Sequence, residues 1–163
     1  MQTQKTTLPL IKLVGITGRT NNKAEMDPQN AIIGKTMQRF FDDTISQKIQ
    51  HAVNPMEFFA VYTQYESDHT GDYTYFFGQE VSSFKKVENG LETLIIPEQN
   101  YVQFTTNPGK MPHVVIDAWI NIWTMTPAQL GGARAYIADF ERYDKQSADP
   151  ENSIVNIFIG IKN

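Results

Sequence analysis

The sequence predicts an α+β domain spanning residues 1–163 and built from two similar halves. Each half is a strand, a helix and a strand pair, with pseudo-twofold symmetry between them and a central ligand groove where they meet. Three observations point to this. The hydrophobic period changes from two to helical and back twice along the chain. Segments of the two halves match in kind: VYTQYESD (61–68) with YIADFERYD (136–144), and YTYFFG (73–78) with VNIFIG (155–160). The chain of 163 residues contains no cysteine, so its stability has to come from one sizeable core and not from disulfides.

The elements follow in order. IKLVGITGR (11–19) reads as a strand. Asp27 and Pro28 then read as an N-cap and the first helical position of a helix over about 28–51, with Ile32, Ile33, Met37, Phe40, Phe41, Ile45 and Ile49 forming its apolar stripe. FFAVYTQYE (58–66) and YTYFFGQEV (73–81) are aromatic and β-branched runs around the turn residues SDHTGD, a hairpin. The second half repeats the order. LETLIIPEQNYVQFT (91–105) reads as two strands divided at Pro97, and a helix is expected near 111–125 with Trp119 and Trp123 four apart on one face. ARAYIADFERYD (133–144) and SIVNIFIGI (153–161) close the unit as a strand pair. The half-repeats run over about 9–82 and 91–161, and the offset of about 75–83 residues is too long for a solenoid.

Composition narrows the function. A net charge of −4 gives no general attraction to phosphate backbones, so no direct nucleic-acid partner is expected. The absence of cysteine removes thiol catalysis and fits a cytoplasmic chain. The N-terminal apolar run is broken by Pro9 and Lys12, which argues against a signal peptide or a membrane span. His51, His69 and His113 never fall at metal-ligand spacing, and GITG (15–18) and NPGK (107–110) are incomplete as nucleotide loops. No cofactor or metal is expected.

One stretch stands apart. ARAYIADFERYD sets Asp139, Glu141 and Tyr143 at alternating positions of a strand, where a core would use Val or Ile. A buried carboxylate needs a partner, and a bound cation supplies one, with aromatic faces adding about 0.5–2 kcal/mol each. The alternative is a wet edge on which Glu141 pairs with Arg134, Arg142 or Lys145. Trp119 and Trp123 are likewise either walls of a site or core, and Asp139 is expected to be solvated or hydrogen-bonded. Glu66 and Glu141 form an acid–base pair if they converge across the groove.

The ordered runs IIGKTMQRFF, FAVYTQYESDHTGDYTYFFGQEV, LIIPEQNYVQF, AWINIWT and ARAYIADFERYD resemble the GyrI-like family, the effector-binding domain of AraC-type and multidrug-sensing bacterial regulators of transcription. The resemblance covers roughly residues 9–161 and implies a duplicated βαββ unit. It also implies a groove glutamate that pairs with lipophilic cations, matched here by Glu141, with Tyr143, Trp119, Trp123, Tyr62 and Tyr101 as candidate walls. DNA-binding members carry a helix-turn-helix module ahead of this domain, and here the domain starts within about ten residues of Met1. The chain therefore resembles stand-alone members, expected to be a monomer or weak dimer that senses or sequesters a small lipophilic cation. Inhibition of a protein partner, as in gyrase-inhibiting relatives, is the second expectation. A groove hydrolase using Glu141 is the third, and the leading expectation is that the protein is not an enzyme.

Overall fold

Two links of two residues each shape the molecule. The computed structural model describes residues 1–162, with eight strands: β1 (Gln2–Leu8), β2 (Ile11–Thr20), β3 (Phe58–Thr63), β4 (Tyr73–Glu80), β5 (Glu92–Ile96), β6 (Gln99–Thr105), β7 (Ala138–Tyr143) and β8 (Asn156–Ile161). They form one antiparallel sheet in the order β1-β6-β8-β7-β3-β4-β2-β5. Pro9-Leu10 joins β1 to β2 and Pro97-Glu98 joins β5 to β6, so each link connects the two opposite ends of the sheet. Three backbone steps reach no more than about 11 Å. The sheet therefore rolls until its ends meet.

The rolled inner face closes on one core. Ile11, Leu13 and Ile96 come from one end, Tyr101 and Phe158 from the other, and Phe59, Val61, Phe76, Ala138 and Phe140 from the middle. Phe140 and Phe158 stack with ring centroids 4.6 Å apart. Gly15 and Gly78 face each other where β2 meets β4. A Cβ on Gly15 would lie 2.1 Å from the Phe77 carbonyl, so only glycine fits there.

The outer face carries the helices: α1 (Asn22–Glu25), α2 (Ile33–Asp42), α3 (His113–Thr124) and α4 (Pro127–Leu130). Phe40 of α2 and Ile45 of the following 3-10 turn cover Val14, Ile16, Tyr75 and Phe77. Val115, Ala118, Trp119 and Ile122 of α3 cover Val102, Phe104, Ile157 and Ile159. Tyr62 and Tyr143 pack against both clusters and so mark the boundary between them. No helix among the described residues is long and apolar enough to cross a membrane.

The strand order is unchanged when β1–β4 are exchanged with β5–β8, as a duplicated unit requires. Several boundaries differ from the sequence expectation. Residues 2–8 form a strand, so the first half begins before residue 9. The helix expected over 28–51 is shorter, because Asp27 closes a local turn by accepting from the Gln29 and Asn30 nitrogens. Helix α2 starts instead at Ile33, where the Glu25 carboxylate accepts from the Ile32 and Ile33 amides at 3.0 and 3.2 Å. The strand expected over 133–144 begins only at Ala138. The segment before it is irregular, with Tyr136 at φ 52°.

Candidate functional site

Strand parity puts Phe58, Ala60 and Tyr62 of β3 opposite Tyr143, Glu141 and Asp139 of β7, all on the helix-bearing face. This is the centre of the sheet, between the two outer clusters. Glu141 is 2% exposed. Its Oε1 accepts from the Tyr62 hydroxyl at 2.8 Å and from Trp119 Nε1 at 2.6 Å, and its Oε2 accepts from the Tyr143 hydroxyl. Burial raises the Glu141 pKa above its ordinary value, and the bonds from Tyr143, Trp119 and Tyr62 pull it back down.

No basic side chain among the described residues pairs with Glu141. The three candidates on the wet-edge reading go elsewhere. The Arg134 side chain is 7% exposed and forms an ion pair with Asp139. The Arg142 guanidinium lies over the Phe158 ring, 5.4 Å from its centroid on the inner face. Lys145 is exposed. Asp139 is fully buried and both its oxygens are bonded: besides Arg134 it accepts from the Tyr65 hydroxyl at 2.7 Å and the Gly160 amide at 2.8 Å. The two carboxylates therefore differ in kind. Asp139 has a cation within the fold, and Glu141 has only neutral donors.

The structure brings Trp119, Tyr62 and Tyr143 onto Glu141 and sets Trp123 beside them. Trp119 is 7% exposed and Trp123 38%, with ring centroids 6.2 Å apart. Trp123 also stacks against His69, whose Nδ1 is 3.3 Å from the Tyr136 hydroxyl. Ile116 and Ile120 are exposed on α3, one turn apart and next to this pair in helical spacing.

Tyr101 is not among the residues around Glu141. It is wholly buried in the inner core with Phe140 and Phe158, on the opposite face of the sheet, because its place on β6 has the other parity. Glu66 does not converge with Glu141 either. It lies on the exposed β3–β4 turn, where its carboxylate accepts from the Asp72 amide at 3.2 Å. The sequence reading passed over Tyr75, which faces Tyr62 directly across β3 and β4 with ring centroids 5.5 Å apart. The available signal was the choice of Tyr at 73 and 75 on the face where Phe77 shows that Phe packs equally well.

A twofold-ordered antiparallel sheet with one main helix over each half is the fold of the GyrI-like effector-binding class. The chain belongs to the family of Cass2, the integron-associated effector binding protein, which it matches over residues 6–161. It is 30% identical over 161 residues to YobU of Bacillus subtilis (strain 168), covering 96% of each chain. The integron cassette protein of Vibrio cholerae superposes with a TM-score of 0.77 at 27% identity, over 98% of this chain and 95% of that one. SAV2435 bound to tetraphenylphosphonium also superposes with a TM-score of 0.77, at 17% identity, over 100% of this chain and 95% of that one.

Proposed function

We propose that the protein binds small lipophilic cations against Glu141 and acts as a sensor or sequestering module for them. The observation that carries this reading is a buried carboxylate bonded by two phenols and an indole yet paired with no cation. Such a group bears a cost of several kcal/mol that a cationic ligand removes. Aromatic faces from Trp119, Tyr62 and Tyr143 give broad contact area that tolerates differing ligand shapes. Trp123, Ile116 and Ile120 provide an exposed apolar approach along α3. The tetraphenylphosphonium held by SAV2435 on the same fold supports the choice of ligand class.

The test is a calorimetric titration of wild type and Glu141→Gln with tetraphenylphosphonium and with neutral triphenylphosphine oxide. Loss of the charge should weaken the cation by about 1.5–3 kcal/mol, the range for bonds to charged groups. The neutral ligand should change by less than about twofold. Equal losses for both ligands, or none, would remove Glu141 from the site.

A further inference from the structure

We propose that the hydroxyl of Tyr75 is an unused hydrogen-bond donor of the Glu141 site, so that the effector carries an oxygen acceptor beside its cationic, lipophilic body. The inference rests on the cation reading above and narrows the ligand class. The acceptor is a carbonyl, ether or hydroxyl oxygen on the same small molecule.

The observation is an imbalance among the seven tyrosines of the chain. Tyr62 and Tyr143 donate to Glu141, and Tyr65 donates to Asp139. Tyr73 donates to Asn22, Tyr101 accepts from Gln99, and Tyr136 meets His69. Tyr75 alone has a buried hydroxyl with no partner. Its side chain is 0% exposed. A phenol in that state bears an uncompensated desolvation penalty, which phenylalanine of nearly the same shape would avoid. The strand itself uses Phe at 76 and 77, so packing alone does not call for a hydroxyl here.

The position of Tyr75 connects the orphan to the site. It faces Tyr62 in register, on the same face of the sheet, and the Tyr62 hydroxyl is one of the donors to Glu141. Burial pushes the Tyr75 hydroxyl well above its ordinary pKa, and the Glu141 charge is the next largest cause, which sets the two groups within electrostatic reach. Glu141 does not take up the hydroxyl: the donors to its oxygens are Tyr62, Trp119 and Tyr143. Only β3 separates the strands that carry Tyr75 and Glu141, a backbone span of about 10 Å. One small molecule can place a cation at Glu141 and an oxygen at Tyr75.

Three probes separate the contributions: tetraphenylphosphonium, its derivative with an acetyl group on one ring, and the isopropyl derivative of matched size. Wild type should hold the acetyl probe about 3- to 10-fold more tightly than the isopropyl probe, the range for one neutral hydrogen bond. Tyr75→Phe should abolish that preference, leave tetraphenylphosphonium within about twofold, and keep or raise the melting temperature of the free protein. The proposal is overturned if wild type does not distinguish acetyl from isopropyl, if the preference survives in Tyr75→Phe, if all three probes weaken together, or if Tyr75→Phe melts much lower. Glu141→Gln, titrated in parallel, separates this result from the wider reading. If that variant weakens all three cations and Tyr75→Phe shows no selective effect, only the acceptor falls. If Glu141→Gln weakens none, the cation reading falls and this one with it.

Discussion

Asp139 and Glu141 stand two residues apart on one strand face and answer to opposite electrostatics. With Arg134 beside it, Asp139 serves the fold. Without a cation, Glu141 opposes the fold whenever it ionises, and this fixes the sign of its pH dependence. Its folded pKa lies above the ordinary 4.5, so the unfolded chain ionises first as pH rises. Stability contributed at this residue is therefore greatest at or below about 4.5, declines as pH climbs towards the folded value, and then levels off. On the proposed function, cation affinity should move the other way, rising over the same window as the carboxylate ionises. The melting temperature of wild type relative to Glu141→Gln should fall from pH 4 to 8 without ligand and recover with tetraphenylphosphonium; parallel curves for the two proteins would contradict the assignment. At this scale the sequence was informative where chemistry was out of place. An acid in an aromatic alternation drew attention to Glu141, while Tyr62, Trp119 and Tyr143 were named as its walls only through the resemblance to GyrI-like domains. Tyr75 passed as a strand aromatic because an unsatisfied hydroxyl becomes visible only in three dimensions, and Tyr101 was misassigned because periodicity orders residues by face without saying which face holds the site.

Among the elements, the strongest misreading was helix α2. Its apolar spacing runs on through Ile45 and Ile49 because a 3-10 turn continues the same face, and Asp27-Pro28 has the look of a helix start while serving a turn. The actual start is held from outside the helix. Glu25 satisfies the Ile32 and Ile33 amides and also accepts from the Thr20 hydroxyl, tying the end of β2 to α2. Glu25→Ala should cost about 0.5–2 kcal/mol, as loss of a capping side chain does, and Glu25→Gln, which keeps the acceptor, clearly less. Urea denaturation midpoints measure both, and an unchanged midpoint for Glu25→Ala would show that water caps the helix equally well. Strand β1 escaped detection for a different reason. It lies at the sheet edge with both faces largely exposed, so QTQKTTL carries no alternation to read.

At the scale of the whole molecule, the repeated order of patterns announced two halves, but the exchange of strands between them was not legible. Strand β1 opens the first half and pairs with β6 of the second, while β5 opens the second and pairs with β2 of the first. Pairing partners so distant in sequence leave no local trace. Neither half completes its sheet alone, so unfolding should be a single transition. Far-ultraviolet circular dichroism and tryptophan fluorescence, the latter reporting only the second half through Trp119 and Trp123, should give coincident urea curves. Two separated curves would mean that the halves are independent units.

The same exchange determines how the site can respond to an occupant. A book bound at the spine can open, but this one is also clasped at both fore-edges: β3 and β7 form the spine, and β1 on β6 and β5 on β2 are the clasps. The halves have no axis about which to swing, so on the proposed reading a ligand for Glu141 would have to enter by rotation of aromatic side chains on a frame that stays shut.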